Sequence, residues 1–153
     1  MSAEQRVKDL ALDLPPPPKA VGNYVPGVQV ANLLFLSGCG PQRADGSYVV
    51  GKAGADMTVE QAYAAARLAG LAMLARLRLV LGSLDRVQRV VKVLGMVNAA
   101  PDFAEQPKVI NGFSDLMVEV FGDNGRGARA AVGMAALTGQ MAVEIEMVVE
   151  LRP

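Results

Sequence analysis

From Ala142 to Leu151 the chain alternates. Val143, Ile145, Met147, Val149 and Leu151 fall on one side, and Ala142, Glu144, Glu146, Val148 and Glu150 on the other. That period of two predicts a half-buried strand. The stretch before it alternates as well, with Ala128, Ala130, Val132, Met134 and Ala136 on an apolar side and Arg129, Ala131, Gly133, Ala135 and Leu137 opposite. Thr138-Gly139 between the two is short enough for a hairpin loop. In that register Arg129 lies across from Val148 and Gly133 across from Glu144, so the polar residues of both strands share one face. A single guanidinium then stands over a floor of Ala and Gly with Glu144 and Glu146 nearby. Small residues leave room for a ligand, and Arg can grip a carboxylate through two bonds. The same residues also fit a plain surface ion pair, which contributes little.

Upstream, Val28–Val30 and Leu33–Ser37 read as two strands joined at Ala31-Asn32. Gly38-Cys39-Gly40-Pro41 stops the second, either as a bare terminator or as a place where a ligand meets backbone at Gly38. Asp45-Gly46 marks a tight turn before Tyr48-Val49-Val50. Thr58-Val59-Glu60-Gln61 has the spacing of a capping box. It predicts a helix to about Leu81, stopped by Gly82 and buried along Ala62, Ala66, Ala69, Met73, Leu77 and Val80. Arg67, Arg76 and Arg78 are expected on its solvated side. Val87–Val97 is Val-rich and predicts a strand, Asn98–Asp102 a turn. After Pro107 a second helix buries Val109, Phe113, Leu116, Met117 and Val120 and ends at Gly122.

Residues 1–20 form a Pro-rich arm, stiffened by Pro15–Pro18, and residues 21–153 a single domain. The pattern is an α/β (α+β) two-layer sandwich: one mixed, six-stranded sheet with two helices on one face. The other face, expected to carry Arg129, Ala131 and Gly133, has no helix left to cover it, so self-association is expected.

Composition narrows the chemistry. Fifteen basic residues balance fifteen acidic ones among 153, which gives no electrostatic footprint for nucleic acid or an anionic membrane. Apolar residues make up 52%, a high share that also points to buried subunit contacts. With no apolar leader and no membrane span, a cytoplasmic setting is expected. There is no histidine and one cysteine. Ser-His-Asp catalysis and a His-dependent ribonuclease mechanism are therefore out of reach, and zinc lacks its usual ligands. Cys39 reads as a small buried hydrophobe or, beside a pocket, a reactive thiol. Gly51 and Gly54 lack phosphate-loop spacing, so no cofactor and no metal is expected.

The string Ala128-Arg129-Ala130-Ala131-Val132, followed by Val143-Glu144-Ile145-Glu146, resembles the C-terminal signature of the Rid/YjgF family, the reactive intermediate deaminases, also labelled endoribonuclease L-PSP. Gly22-Asn23-Tyr24-Val25, Asn32 to Gly38, and Phe103 with Asn111 fit the same family in order. The resemblance implies a chorismate-mutase-like homotrimer with clefts between subunits. It implies hydrolysis of 2-imino and 2-enamino acids to 2-oxo acids and ammonia. Arg129 would hold the substrate carboxylate and Glu144 the attacking water. Gly38 backbone and Tyr24 would orient the nitrogen end, and Asn111 would edge the pocket. Arg129 and Glu144 are expected from one chain and Tyr24 from a neighbour. The chain departs from the pattern at Ala131, where the best-known deaminases carry Cys or Ser, and in about four extra residues between Phe103 and Asn111, as a divergent branch would. Two other readings stay open. One is a non-catalytic module that binds a small carboxylate such as a 2-oxo acid. The other is an endoribonuclease, which the balanced charge and missing histidine support least.

Overall fold

Thr58 and Gln61 close the capping box in both directions: the Gln61 amide donates to Thr58 Oγ1 at 3.1 Å, and the Thr58 amide to Gln61 Oε1 at 2.9 Å. The helix they start runs Val59–Leu81 and ends where Gly82 takes a left-handed φ of 79°, as the sequence predicts. The structure is a computed structural model that describes all 153 residues. Its main elements are α1 (Ala3–Asp9), β1 (Gly27–Val30), β2 (Leu33–Cys39), α2 (Val59–Leu81), β3 (Val87–Asn98), α3 (Gln106–Phe121), β4 (Ala128–Met134) and β5 (Val143–Leu151).

The sheet has five strands in the order β1-β2-β5-β3-β4, and only β3 and β4 run parallel. Tyr48–Val50 does not supply a sixth. It touches the rest only through single bridges, Gln42 to Tyr48 and Val50 to Met141. The Val49 and Gly51 amides are spent on the Pro41 and Gln140 carbonyls, so the segment closes a loop around the predicted Asp45-Gly46 turn instead of lengthening the sheet.

A second correction concerns the hairpin. β4 and β5 do not pair, because β3 lies between them. Its Val93 is opposite Arg129 on one side and Met147 on the other, and its Met96 is opposite Val132 and Glu144. The cause is α3, which joins β3 to β4 as a crossover and so sets them side by side in parallel. Residues 135–142 then step over the end of β3 to reach β5. Lys52 Nζ ties that step down, donating to Asn98 Oδ1 and Ala135 O, both at 2.7 Å.

Facing residues share a side of the sheet, so Arg129, Ala131 and Gly133 point with Val93 and Met147 toward the helices. The expected floor of small residues makes room for the chain around α3: a Cβ on Gly133 would come 3.0 Å from Gln106 Nε2. The open face is instead carried by Val28, Val30, Phe35, Leu94, Met96, Val132 and Val148, interspersed with Lys92 and the β5 glutamates. Val28, Val30, Phe35 and Val132 are 53%, 58%, 45% and 38% exposed.

Helices α2 and α3 cover the other face, and Leu34, Val93, Val97, Ile145, Met147 and Val149 fill the space beneath them. The two helices touch closely at Gly112, where a Cβ would run into the Tyr63 carbonyl. A third helix joins them. Ser2 caps α1, Val7 is buried, and the Glu4 carboxylate accepts from Arg78 Nε and Nη2 and from the Leu84 amide. Burial pushes Glu4 up, but the bonds from Arg78 and Leu84 outweigh it and hold the carboxyl below its ordinary range. A carboxyl depressed in the folded state contributes stability above its unfolded pKa and loses it as the pH falls through the folded one. Glu4→Gln is therefore expected to lower urea stability by about 1–2 kcal/mol at pH 7. The difference from the parent should close on acidification below the ordinary glutamate value of 4.5. A constant difference from pH 7 to pH 3 would contradict this role.

Candidate functional site

One irregularity in β2 builds the site. Leu36 is opposite Met147, but Cys39 is opposite Ile145, so three steps on β2 match two on β5 and the strand bulges at Ser37-Gly38. Two carbonyls of the bulge leave the ladder, and Arg76 from α2 takes both: its Nη1 donates to Ser37 O at 2.5 Å and Gly38 O at 2.9 Å. On the other side Ser37 anchors the lead-in segment, its Oγ donating to Val25 O at 2.6 Å and its amide to Pro26 O at 3.0 Å. That anchorage brings Tyr24 over the bulge. The Tyr24 oxygen accepts from the Val21 amide at 3.3 Å, which leaves its hydroxyl hydrogen to donate.

Glu144 of β5 lies directly against the bulge. A Cβ on Gly38 would sit 2.8 Å from Glu144 Oε1 and 3.0 Å from its Cγ, so only glycine lets the carboxylate rest there without displacement. Tyr48, Met141 and the Thr138-Gly139 step complete a cleft of about 550 Å³ that also reaches Pro18, Lys19 and Glu146. Of the residues singled out in the sequence, the structure thus brings Tyr24, Gly38 and Glu144 together within one chain. The expected division, with Tyr24 contributed by a neighbour to a site holding Arg129 and Glu144, is not the one found.

Arg129 and Asn111 form a separate pair on the other side of the sheet. Arg129 Nη1 donates to Asn111 Oδ1 at 2.8 Å and to Ser114 Oγ at 3.1 Å, and Nη2 to Pro107 O at 3.4 Å. These bonds fix the guanidinium to the start of α3 at the sheet edge, half exposed, with Nε and part of Nη2 unused.

Two residues of the cleft escape a reading for solvated charge and strand pattern. Tyr48 is one, its hydroxyl pushed up chiefly by burial. Arg76 is the other. Expected on the solvated side of α2, it is only 2% exposed. Position 76 falls three residues after Met73 and seven after Ala69, inside the stripe the helix buries, so the helical phase could have found it. The other two arginines of α2 do not stand in bulk water either: Arg67 pairs with Glu119 and Arg78 with Glu4.

Cys39 is 1% exposed. Burial, reinforced by the Glu144 charge and opposed by Arg76, pushes its thiol up to about 11. Thiolate is scarce at neutral pH, so the reading as a core hydrophobe is the one supported. Iodoacetamide at pH 8 should leave Cys39 unlabelled in the native protein and label it fully in urea. Native labelling as fast as that of the unfolded chain would overturn the assignment. No three Cys, Asp or Glu side chains gather into a metal cage, and no helix is long and apolar enough to cross a membrane.

This architecture and sequence have relatives. Residues 4–146 match the family described as "YjgF/chorismate mutase-like, putative endoribonuclease". Protein TCP17 of Trypanosoma cruzi is 43% identical over 143 residues, 93% of this chain and 89% of that one. The crystal structure of protein Atu1372, of unknown function, from Agrobacterium tumefaciens superposes with a TM-score of 0.88 at 42% identity, covering 97% of this chain and 91% of that one. A "putative endoribonuclease" from Shewanella oneidensis gives a TM-score of 0.94 at 34% identity, covering 99% of this chain and 100% of that one.

Proposed function

The chain belongs to the Rid/YjgF family, and from that premise we propose that it hydrolyses short-lived 2-imino and 2-enamino acids to 2-oxo acids and ammonia. The observation that carries the reading is the Glu144 carboxylate seated on Gly38 inside a cleft that Tyr24 overhangs. Glu144 holds a water and takes its proton as the oxygen adds to C2 of the imine. The nitrogen gains that proton to give a carbinolamine. The carbinolamine's hydroxyl proton then passes by way of Glu144 to the same nitrogen as the C–N bond breaks. Ammonia leaves, and the C2 oxygen stays as the carbonyl of the 2-oxo acid. An imine is already electrophilic, so positioning and one base suffice without metal or cofactor.

In this proposal the substrate carboxylate is held by Arg129, through the N–H groups that Asn111, Ser114 and Pro107 leave unused. Because Arg129 and Glu144 lie on opposite faces of one sheet, the Arg129 that serves a given cleft comes from another copy. The apolar open face, with Val28, Phe35 and Val132 uncovered, supports the homotrimer that would bring the two together, in a cytoplasmic setting. Incubation with 2-iminobutanoate generated in situ should release ammonia well above the spontaneous rate. Calorimetric binding of 2-oxobutanoate without any such release would favour a carboxylate-binding module instead.

A further inference from the structure

Three arginines nearer the surface pair with acids: Arg67 with Glu119, Arg78 with Glu4, and Arg126 with Asp123. Arg76, the most buried of all at 2% exposure, has none. A guanidinium does not lose its proton in a protein, so a full positive charge is held here against two carbonyls alone. Nη1 is used on Ser37 and Gly38, Nε is buried without a partner, and the side chain lines the cleft. A buried charge without a counter-charge is unfavourable until one arrives, and the cleft that Arg76 lines offers it a route. The acids that share the cleft, Glu144 and Glu146, form no ion pair with it. Lys19 adds a second cation to the lining, and Tyr24 and Tyr48 add hydroxyls. Val21, Met141, Pro18 and the two tyrosine rings give the cleft apolar walls as well, so the distinction between ligands rests on the charge at Arg76.

We propose that Arg76 anchors a second acidic group of the ligand, so that the cleft selects 2-imino acids whose side chain ends in a carboxylate over those with apolar side chains. The inference rests on the reading above, in which Arg129 holds the first carboxylate and Glu144 faces C2. It adds the identity of the far end. The distal carboxylate meets Arg76 where it lines the cleft, while the nitrogen, cationic when protonated, lies toward Glu144 and Glu146.

The test compares two 2-oxo acids of equal length by calorimetry on the intact protein: 2-oxoglutarate, which has the distal carboxylate, and 2-oxopentanoate, which ends in a methyl. Wild-type protein should bind 2-oxoglutarate at least about tenfold more tightly, the effect of a charge-assisted pair in a desolvated site. Arg76→Lys, which keeps the charge but loses the fork, should collapse that ratio to about threefold or less. The wild-type ratio stands even if Arg76 variants fail to fold. Equal binding of the two acids would overturn the inference and leave the deaminase reading intact, as would a preference that survives in Arg76→Lys. Binding of neither would remove the deaminase reading as well.

Discussion

Glu144→Gln should lower ammonia release from 2-iminobutanoate by about 100-fold or more while the protein stays folded. Gln has the size of Glu, so the contact with Gly38 survives and only the ability to accept a proton is lost. General bases contribute on the order of 10²–10⁴ in rate, and here no histidine exists to take over. The loss should appear in kcat with KM little changed, because the group acts on water and leaves the substrate carboxylate alone. Gly38→Ala should reproduce part of the defect from the other side. Its Cβ would press on Glu144 Oε1 and Cδ at 2.8 and 3.1 Å, and the flexible carboxylate would swing away from the bulge. Activity of Glu144→Gln within threefold of the parent would remove Glu144 from the chemistry.

Much of this arrangement was legible in the sequence, element by element. The Thr58 capping box and Gly82 bracket α2 to the residue, because both ends are set by local hydrogen bonds and backbone conformation. The alternation of β5 is observed as written, with Val143, Ile145, Met147, Val149 and Leu151 buried. What alternation cannot say is which strand lies alongside. β4 alternates whether it pairs with β5 or β3, and the partner is decided by α3, a long-range crossover. The pattern also cannot say which face of β4 the helices take. Ala131 and Gly133 looked like room for a ligand, but Ala131 packs against the core and Gly133 makes room for Gln106 at the start of α3. The β2 bulge left no periodic trace. Arg76 did leave one, in its phase on α2, but its charge suggests solvent more strongly than its position suggests burial. Membership of the Rid/YjgF family was carried by Ala128–Val132 and Val143–Glu146 and is confirmed over residues 4–146.

The placement of Arg129 and Glu144 on opposite faces makes a prediction that a single-chain site would not. Arg129→Ala and Glu144→Gln should each be inactive as pure proteins, since every cleft then lacks either its carboxylate clamp or its base. The structure assigns Glu144, Gly38 and Tyr24 to one side of the cleft, and the proposal assigns Arg129 to the other side, on a different copy. A cyclic trimer has three such clefts. Unfolding the two variants together in equal amounts and reassembling them distributes the chains at random. A cleft works only when its Glu144 comes from an Arg129→Ala chain and its Arg129 from a Glu144→Gln chain, so about a quarter of clefts should be intact. The measurement is ammonia release by the co-refolded mixture, with light scattering to verify the trimeric mass. The account predicts close to a quarter of wild-type activity from two inactive parents. No recovery in well-mixed trimers, or a monomeric mass with full wild-type activity, would contradict it.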